Sequence, residues 1–321
     1  PGGDLNAGEV SAFERNANTQ VFDDEVTLTS GDKSPFDAFG AAVSLDADIA
    51  VIAAPDDNVD GDDNAGSAYV FNRNLDTGDW DQAVKLTAGA DVTAFDNFGA
   101  AVAIDADIIL VGVPADDPNG IPNAGAAYLF SRDPGEAAPD QWSQTEKLTA
   151  GADEDAGDNF GAAVALHSDT ALIGAPLEDS GGAVFVFVRD PDDNSWIRQQ
   201  KLTASDASPG DAFGNSVSVF GNTALIGAPQ ADVTGVLTAG AVYLFRRDPA
   251  RAANPWTELQ KMELVDAATG DAFGTSVTLA GDMAVVGAPG VDLPPDGIVM
   301  RVNAGATYDF RRDPDSGLFC R

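Results

Sequence analysis

Residues Asp206 to Pro229 read DASPGDAFGNSVSVFGNTALIGAP, and the skeleton of that stretch returns five times along the chain. Its fixed points are the pairs Phe39-Gly40, Phe98-Gly99, Phe160-Gly161, Phe213-Gly214 and Phe273-Gly274, spaced 59, 62, 53 and 60 residues apart. Sixteen residues after each Phe stands a proline, Pro55, Pro114, Pro176, Pro229 or Pro289, closing a small-small-Pro stop. One aspartate lies two residues before each Phe (Asp37, Asp96, Asp158, Asp211, Asp271) and another lies seven before (Asp32, Asp91, Asp153, Asp206, Asp266). A constant interval inside a variable period marks one supersecondary unit used repeatedly.

Between these points, alternation and β-branched or aromatic enrichment predict four short strands per unit. Strand A is FGAAVSL or its counterparts, and strand B is IAVIAAP or its counterparts. Strand C is SAYVFNR and its kin, entered through Ala-Gly or Gly-Gly, and strand D runs from a tryptophan (Trp80, Trp142, Trp196, Trp256) to a Lys-Leu or Lys-Met pair. Only two to four residues join A to B, a tight hairpin. Nothing reads as a helix. Residues 1–321 are therefore expected to form a single domain: a partial unit at 1–31 holding strands C and D, units at 32–90, 91–152, 153–205 and 206–265, and an incomplete last unit at 266–321. The opening PGGDLNAGEV reads as the interior of something longer, with Phe22 at the tryptophan position.

Four-stranded units of this length in series predict an all-β fold, a β-propeller of antiparallel blades with strand A innermost and D at the rim. A lone blade cannot bury its apolar faces, so neighbours stack to make the core. Small residues after each Phe suit a crowded centre.

The composition narrows the function. Hydrophobic residues make up 44 % of the 321, enough for a substantial core, while 34 Gly and 18 Pro fall largely at the junctions as turn residues. Against 52 Asp plus Glu stand 17 Lys plus Arg, a net charge of −35 that excludes a phosphate-binding basic surface and hence nucleic acid. Such a surface suits salty or calcium-rich surroundings, where it is screened. The single Cys320 excludes internal disulfides and paired-cysteine redox or metal sites. No apolar run reaches the roughly 18 residues of a membrane helix.

Phe-Gly, then Gly-Ala-Pro at a fixed interval, then Gly-Ala-Val-Tyr-Leu-Phe, resembles the FG-GAP repeats of integrin α-subunit propellers, and more closely bacterial FG-GAP proteins with Trp and Gln-Lys-Leu in each repeat. The resemblance covers nearly the whole chain. It implies an extracellular propeller, commonly seven-bladed, used in adhesion or recognition. Five A–B pairs are visible, so either the ends belong to a six- or seven-bladed ring or the ring closes with fewer blades.

Candidate sites follow from the acids. The paired aspartates lie in the D-to-A connection, on the same side as the B-to-C loops, and recurrence in every unit favours turn-holding over ligand binding. The best cation candidate is the loop after Pro55, DDNVDGDDN at 56–64, which matches the alternating oxygen pattern that hard calcium prefers. The integrin resemblance implies Asp56, Asn58, Asp60 and Asn64 as Ca²⁺ ligands, although the family's calcium loop sits in the A–B hairpin and this one sits between B and C. His167, the only histidine, falls in an A–B turn beside Ser168 and Asp169, where adjacent residues do not make a catalytic triad. The tryptophans, locked to one register, read as packing and not as sugar platforms.

These readings point to a non-enzymatic, secreted or cell-surface module for adhesion or recognition, with a protein or glycan ligand at its acidic loops and calcium as a stiffener. The alternative is a structural subunit of a surface layer or filament that pairs with copies of itself by strand addition. A propeller-based lyase or hydrolase ranks behind both.

Overall fold

The computed structural model describes residues 6–16, 19–136, 141–179, 181–251, 253–292 and 303–320, and these are all-β apart from three single 3₁₀ turns. Strands β1 (Val10–Arg15) and β2 (Phe22–Leu28) form a two-stranded sheet. Five four-stranded antiparallel sheets follow, each in simple chain order. They comprise β3 (Val43–Asp46), β4 (Ile49–Ala54), β5 (Ser67–Arg73) and β6 (Trp80–Leu86); then β7 (Ala101–Asp105), β8 (Ile108–Val113), β9 (Ala126–Arg132) and β10 (Trp142–Leu148). Next come β11 (Ala163–His167), β12 (Thr170–Ala175), β13 (Ala183–Arg189) and β14 (Trp196–Leu202), and β15 (Ser216–Phe220), β16 (Thr223–Ala228), β17 (Ala241–Arg247) and β18 (Trp256–Met262). The last sheet is β19 (Ser276–Ala280), β20 (Met283–Ala288), β21 (Ala306–Arg312) and β22 (Phe319–Cys320). These sheets are the blades of a β-propeller.

Contacts gather the chain into two compact units, Pro1–Asp117 with Ala126–Leu148, and Pro118–Gly125 with Thr149–Arg321. The final repeat, expected to be incomplete, carries all four strands; its fourth is two residues long, and Phe319 takes the buried rim place that Trp256 holds one repeat earlier, both 2 % exposed.

Each strand type follows from what flanks it. The second strand is sandwiched inside its sheet and is apolar but for a leading threonine in two repeats, Thr170 and Thr223: every residue of Ile108–Val113 and of Thr223–Ala228 is buried. The A–B hairpins turn on Ala47, Ala106, Ser168, Gly221 and Gly281, all at positive φ, as a two-residue turn matched to strand twist requires. His167 ends strand β11 just before that turn, and its ring stacks on Phe220 with centroids 4.7 Å apart.

Phe-Gly does not open strand A, as the sequence suggested, but forms the turn before it. The first strands begin at Val43, Ala101, Ala163, Ser216 and Ser276, two to four residues downstream. The reason is that the phenylalanine is occupied on two sides. Its ring packs against two aromatics of strand C in its own repeat, edge-on in all but the tilted Phe98–Tyr128 pair: Phe39 to Tyr69 and Phe71, Phe98 to Tyr128 and Phe130, Phe213 to Tyr243 and Phe245, at 5.4–6.1 Å. Its backbone N–H donates to the residue before the glycine that precedes strand C one repeat earlier: Phe39 to Ala7, Phe98 to Ala65, Phe160 to Ala124, Phe213 to Gly181 and Phe273 to Ala239, at 2.8–3.0 Å. That approach leaves no room for a side chain. A Cβ on Gly66 would lie 2.3 Å from the Phe98 carbonyl oxygen, and its φ is +86°.

Gly66→Ala is therefore expected to lose more than about 3 kcal/mol, because backbone must move, whereas Gly61→Ala, at φ +100° with nothing within 4 Å, loses about 1 kcal/mol from conformation alone. Denaturant midpoints of the two variants separate clash from strain. Equal losses would show that the close approach is not a constraint.

Candidate functional site: the acidic loop end of each sheet

The B–C loop and the D–A connection meet at one end of each sheet, and the aspartates there divide into two roles. The second aspartate of each pair holds the turn, as recurrence suggested: the N–H three residues upstream donates to its carboxylate, from Ser34 to Asp37, Thr93 to Asp96 (3.0 Å), Asp155 to Asp158 (3.0 Å), Ser208 to Asp211 (2.9 Å) and Ala268 to Asp271 (2.7 Å). All five are buried. Burial pushes the carboxyls of Asp37, Asp96, Asp158 and Asp211 above the ordinary aspartate value, more than the turn N–H bonds lower them.

The first aspartate does something the sequence reading missed. Asp32 accepts from Lys85 Nζ at 2.7 Å and from the Tyr69 hydroxyl at 2.8 Å. Lys85 also reaches Asp57 Oδ2 at 2.7 Å, the same oxygen that takes the Ser67 hydroxyl at 2.5 Å and lies 2.9 Å from Tyr69. The ammonium sits 5.4 Å from the centre of the Tyr69 ring. Strand C supplies the aromatic, strand D the lysine, and the two loops supply the acids, so one cation fastens both loops to the sheet. Lys147 does the same with Asp116 at 3.0 Å and Asp91 at 3.5 Å, and Tyr128 donates to Asp116 at 2.7 Å. Lys201 pairs with Glu178 at 2.6 Å over Phe185, while Arg198 takes Asp153. In the fourth full repeat the loop acid is gone, since Ala231 stands where Asp57 and Asp116 do, and Lys261 holds Asp206 and Glu263, both at 2.7 Å. A signal was present in the sequence: a lysine precedes Leu86, Leu148, Leu202 and Met262 at one register.

The electrostatics of this cluster are those of a fastener. Burial would lower Lys85, but the hydrogen bonds it donates to Asp32 and Asp57 outweigh that and raise the lysine well above its ordinary value. Burial raises Tyr69, Tyr128 and Tyr243, reinforced at each by a neighbouring carboxylate. Burial would also raise Asp32, yet its bonds from Lys85 and Tyr69 leave it lowered. A nucleophilic lysine or a tyrosinate base needs shifts of the opposite sign.

The loop proposed for calcium closes on itself. Asn64 N–H donates to Asn58 Oδ1 at 2.8 Å, and Val59 and Asp62 exchange backbone bonds at 3.1 and 2.9 Å. Asp57 belongs to the lysine cluster, and Asn97 Nδ2 reaches Asp56 Oδ1 at 3.4 Å. The loop Pro229–Gly240 has the same length and the same construction: Thr238 N–H on Asp232 Oδ1 at 2.9 Å, Val233 bonded to Val236, and positive φ at Thr234, Gly235 and Thr238 matching Asp60, Gly61 and Asn64. It does so with Gln230, Ala231, Val236 and Leu237 where Asp56, Asp57, Asp62 and Asp63 stand. The two loops thus share one conformation across different sequences. Among the described residues no three acidic, histidine or cysteine side chains converge as a metal-holding group. The tryptophans Trp142, Trp196 and Trp256 are buried, as packing at a fixed register implies. Most of the long loop 290–305, at 293–302, lies outside the described residues.

Two outcomes follow. Lys85→Met strands Asp57, whose side chain is only 6 % exposed, and is expected to destabilise by about 3 kcal/mol; Lys261→Met leaves only Asp206 and Glu263, 50 and 32 % exposed, and costs under about 1 kcal/mol. Equal costs would deny the buried acid its role. For the turn aspartates, the native state keeps its proton longer than the unfolded chain, so wild type loses stability as pH rises from 3.8 through the raised value. The melting temperature of Asp96→Asn relative to wild type should therefore climb across that window and level off above it; a difference that does not change with pH would contradict the burial effect.

A model of the FG-GAP repeat matches residues 22–71, 80–130, 142–187, 196–245 and 256–310. Each match opens on the fourth strand of one sheet and closes on the third strand of the next repeat, so the sequence repeat straddles the structural one. No curated protein matches the chain. Matched at five successive repeats over most of its length, the chain belongs to the FG-GAP repeat family.

Proposed function

We propose that this protein is a non-enzymatic recognition module of the secreted or cell-surface kind, whose ligand, a protein or glycan, is met by the B–C loops. The observation that carries this reading is the division of labour in those loops. Their bases are fastened by the lysine clusters and the turn aspartates, while their tips vary freely in length and chemistry over a constant frame. The tip at 58–64 presents Asp60, Asp62 and Asp63; the tip at 232–238, with the same backbone, presents Val236 and an exposed Leu237. The loop acids that meet lysine and tyrosine are committed to structure, with lysine and tyrosine driven further from reactivity. No helix among the described residues is long and apolar enough to cross a membrane.

With a net charge of −35, recognition is expected to favour cationic surfaces and to weaken with salt. Replacing residues 58–64 by the sequence of 232–238 exchanges one tip for another of equal length and leaves Asp57 in place. The variant should melt with the wild type yet retain fewer cells on a protein-coated surface. The same comparison with calcium and with chelator tests the ion: the self-closed geometry of the loop predicts no calcium dependence that the exchange removes. Unchanged retention by a folded variant would defeat the reading.

A further inference from the structure

Phe95 stands at a position where glycine is the better residue. Three residues before each Phe-Gly pair the chain carries Phe36, Phe95, Gly157, Gly210 and Gly270 in turn. All five have positive φ, 74° and 68° at the two phenylalanines and 85–95° at the glycines. The preceding B–C loop fixes the backbone there: the N–H of Phe95 donates to the Asp63 carbonyl oxygen at 2.8 Å, as Gly157 does to Pro122 at 3.0 Å and Gly270 to Leu237 at 3.2 Å. Glycine meets that constraint freely, whereas a bulky L residue at positive φ is strained. Burial does not offset the strain. A Cβ on Gly157, Gly210 or Gly270 would find nothing within 4 Å, and Phe95 is 61 % exposed. Strain that folding does not use belongs with ligand contact.

We infer that Phe95 is an anchor for a basic segment of a partner protein, one of whose cationic side chains lies across the ring with its head group toward the carboxylates of the neighbouring tip. The inference rests on the reading of the B–C loops as the contact surface and names the chemistry they take. Two observations select the occupant. The bond to Asp63 sets Phe95 at the shoulder of the tip 58–64, where Asp60 and Asp63 are exposed, so an aromatic ring and negative charge are offered together. A chain carrying a net charge of −35 also draws cations toward that surface. Arginine suits both, because its guanidinium stacks on aromatic faces while its N–H groups bond carboxylates. Phe36 repeats the costly choice at the same register, and the three glycine-bearing repeats lack the ring.

The probe is an octapeptide of alternating arginine and serine, titrated at about 0.05 M salt so that surface charge is little screened. Saturable binding is expected, and the same peptide with citrulline in place of arginine should not bind. Phe95→Gly removes the ring and relieves the strain together. That variant should melt no lower than wild type yet bind at least about fivefold more weakly, while Phe95→Tyr binds as wild type does. Asp60→Asn combined with Asp63→Asn should weaken binding and flatten its salt dependence. A lower melting temperature for Phe95→Gly overturns the inference, because the ring would then serve folding. So does a lack of saturable binding, equal binding by Phe95→Gly or by the citrulline peptide, or displacement of the peptide by a neutral oligosaccharide, which would make the ring a glycan platform. If exchange of the 58–64 tip lowers cell retention while Phe95→Gly still binds the peptide fully, this anchor fails and the loop reading stands; unchanged retention with the peptide lost in Phe95→Gly is the reverse.

Discussion

The approach of one backbone to another, closer than any side chain allows, is the constraint on which the rest of the structure depends. Gly8, Gly66, Gly125, Gly182 and Gly240 each lie so near the next Phe-Gly turn that a Cβ would fall 2.0–2.3 Å from a phenylalanine carbonyl oxygen. At that distance the phenylalanine N–H reaches the carbonyl before the glycine, and the backbone of one repeat is bonded to that of the next. The ring of the same phenylalanine packs on aromatics of its own strand C. One residue therefore joins two repeats, by its backbone to one and by its side chain to the other, and this explains why the pair Phe-Gly holds its spacing to the downstream proline while the period drifts from 53 to 62 residues. The drift falls in the loops, which carry none of this geometry.

Charge is handled by the same economy of positions. A chain with 52 acids and 17 Lys plus Arg cannot pair most of its carboxylates, so where its cations go is informative. At the B–C end, four of them, Lys85, Lys147, Lys201 and Lys261, stand over the strand C aromatics; the first three gather the acids of two loops, and Lys261 holds Asp206 and Glu263. At the hairpin end, the arginine closing strand C is used again and again: Arg73 meets Glu14 at 2.6 Å, Arg132 meets Asp107 at 2.8 Å, and Arg312 donates to Thr223 Oγ1 at 2.8 Å. Cations thus sit where two elements must be held, and the unpaired acids are left to solvent, where salt screens them.

The strands and their order were legible from the sequence because strand B is apolar apart from a leading threonine in two repeats and the hairpin after strand A has room for only two residues. The turn aspartates were legible because five copies at one register argue for a role that every repeat shares. Two things were not. The start of strand A was misplaced because Phe-Gly is apolar and reads as strand, while its true conformation depends on a glycine some 30 residues upstream in the preceding repeat. The lysine clusters escaped notice because Lys85 lies 53 residues from Asp32 and 28 from Asp57, and no local pattern links three residues that meet only after strands C and D pair. DDNVDGDDN reads two ways because Asp, Asn and Gly serve tight turns and calcium equally well; the matching loop at 229–240 takes the same turn without that acid run.

That comparison also bears on how such a scaffold tolerates variation. The buried loop acid is Asp57 and Asp116 in two repeats, Glu178 in a third and absent in a fourth, where Ala231 fills the place. Its removal is not matched by loss of the lysine; Lys261 keeps Asp206 and adds Glu263, the residue just past the end of its own strand. A buried pair costs desolvation that its own attraction only offsets, so replacing the acid by a small apolar group while the cation takes more exposed partners is close to neutral. Removing the cation alone is not. The lysine is thus the member of the cluster that each repeat from the first to the fourth retains, and the acid beneath it is the member free to change as the loop above it changes.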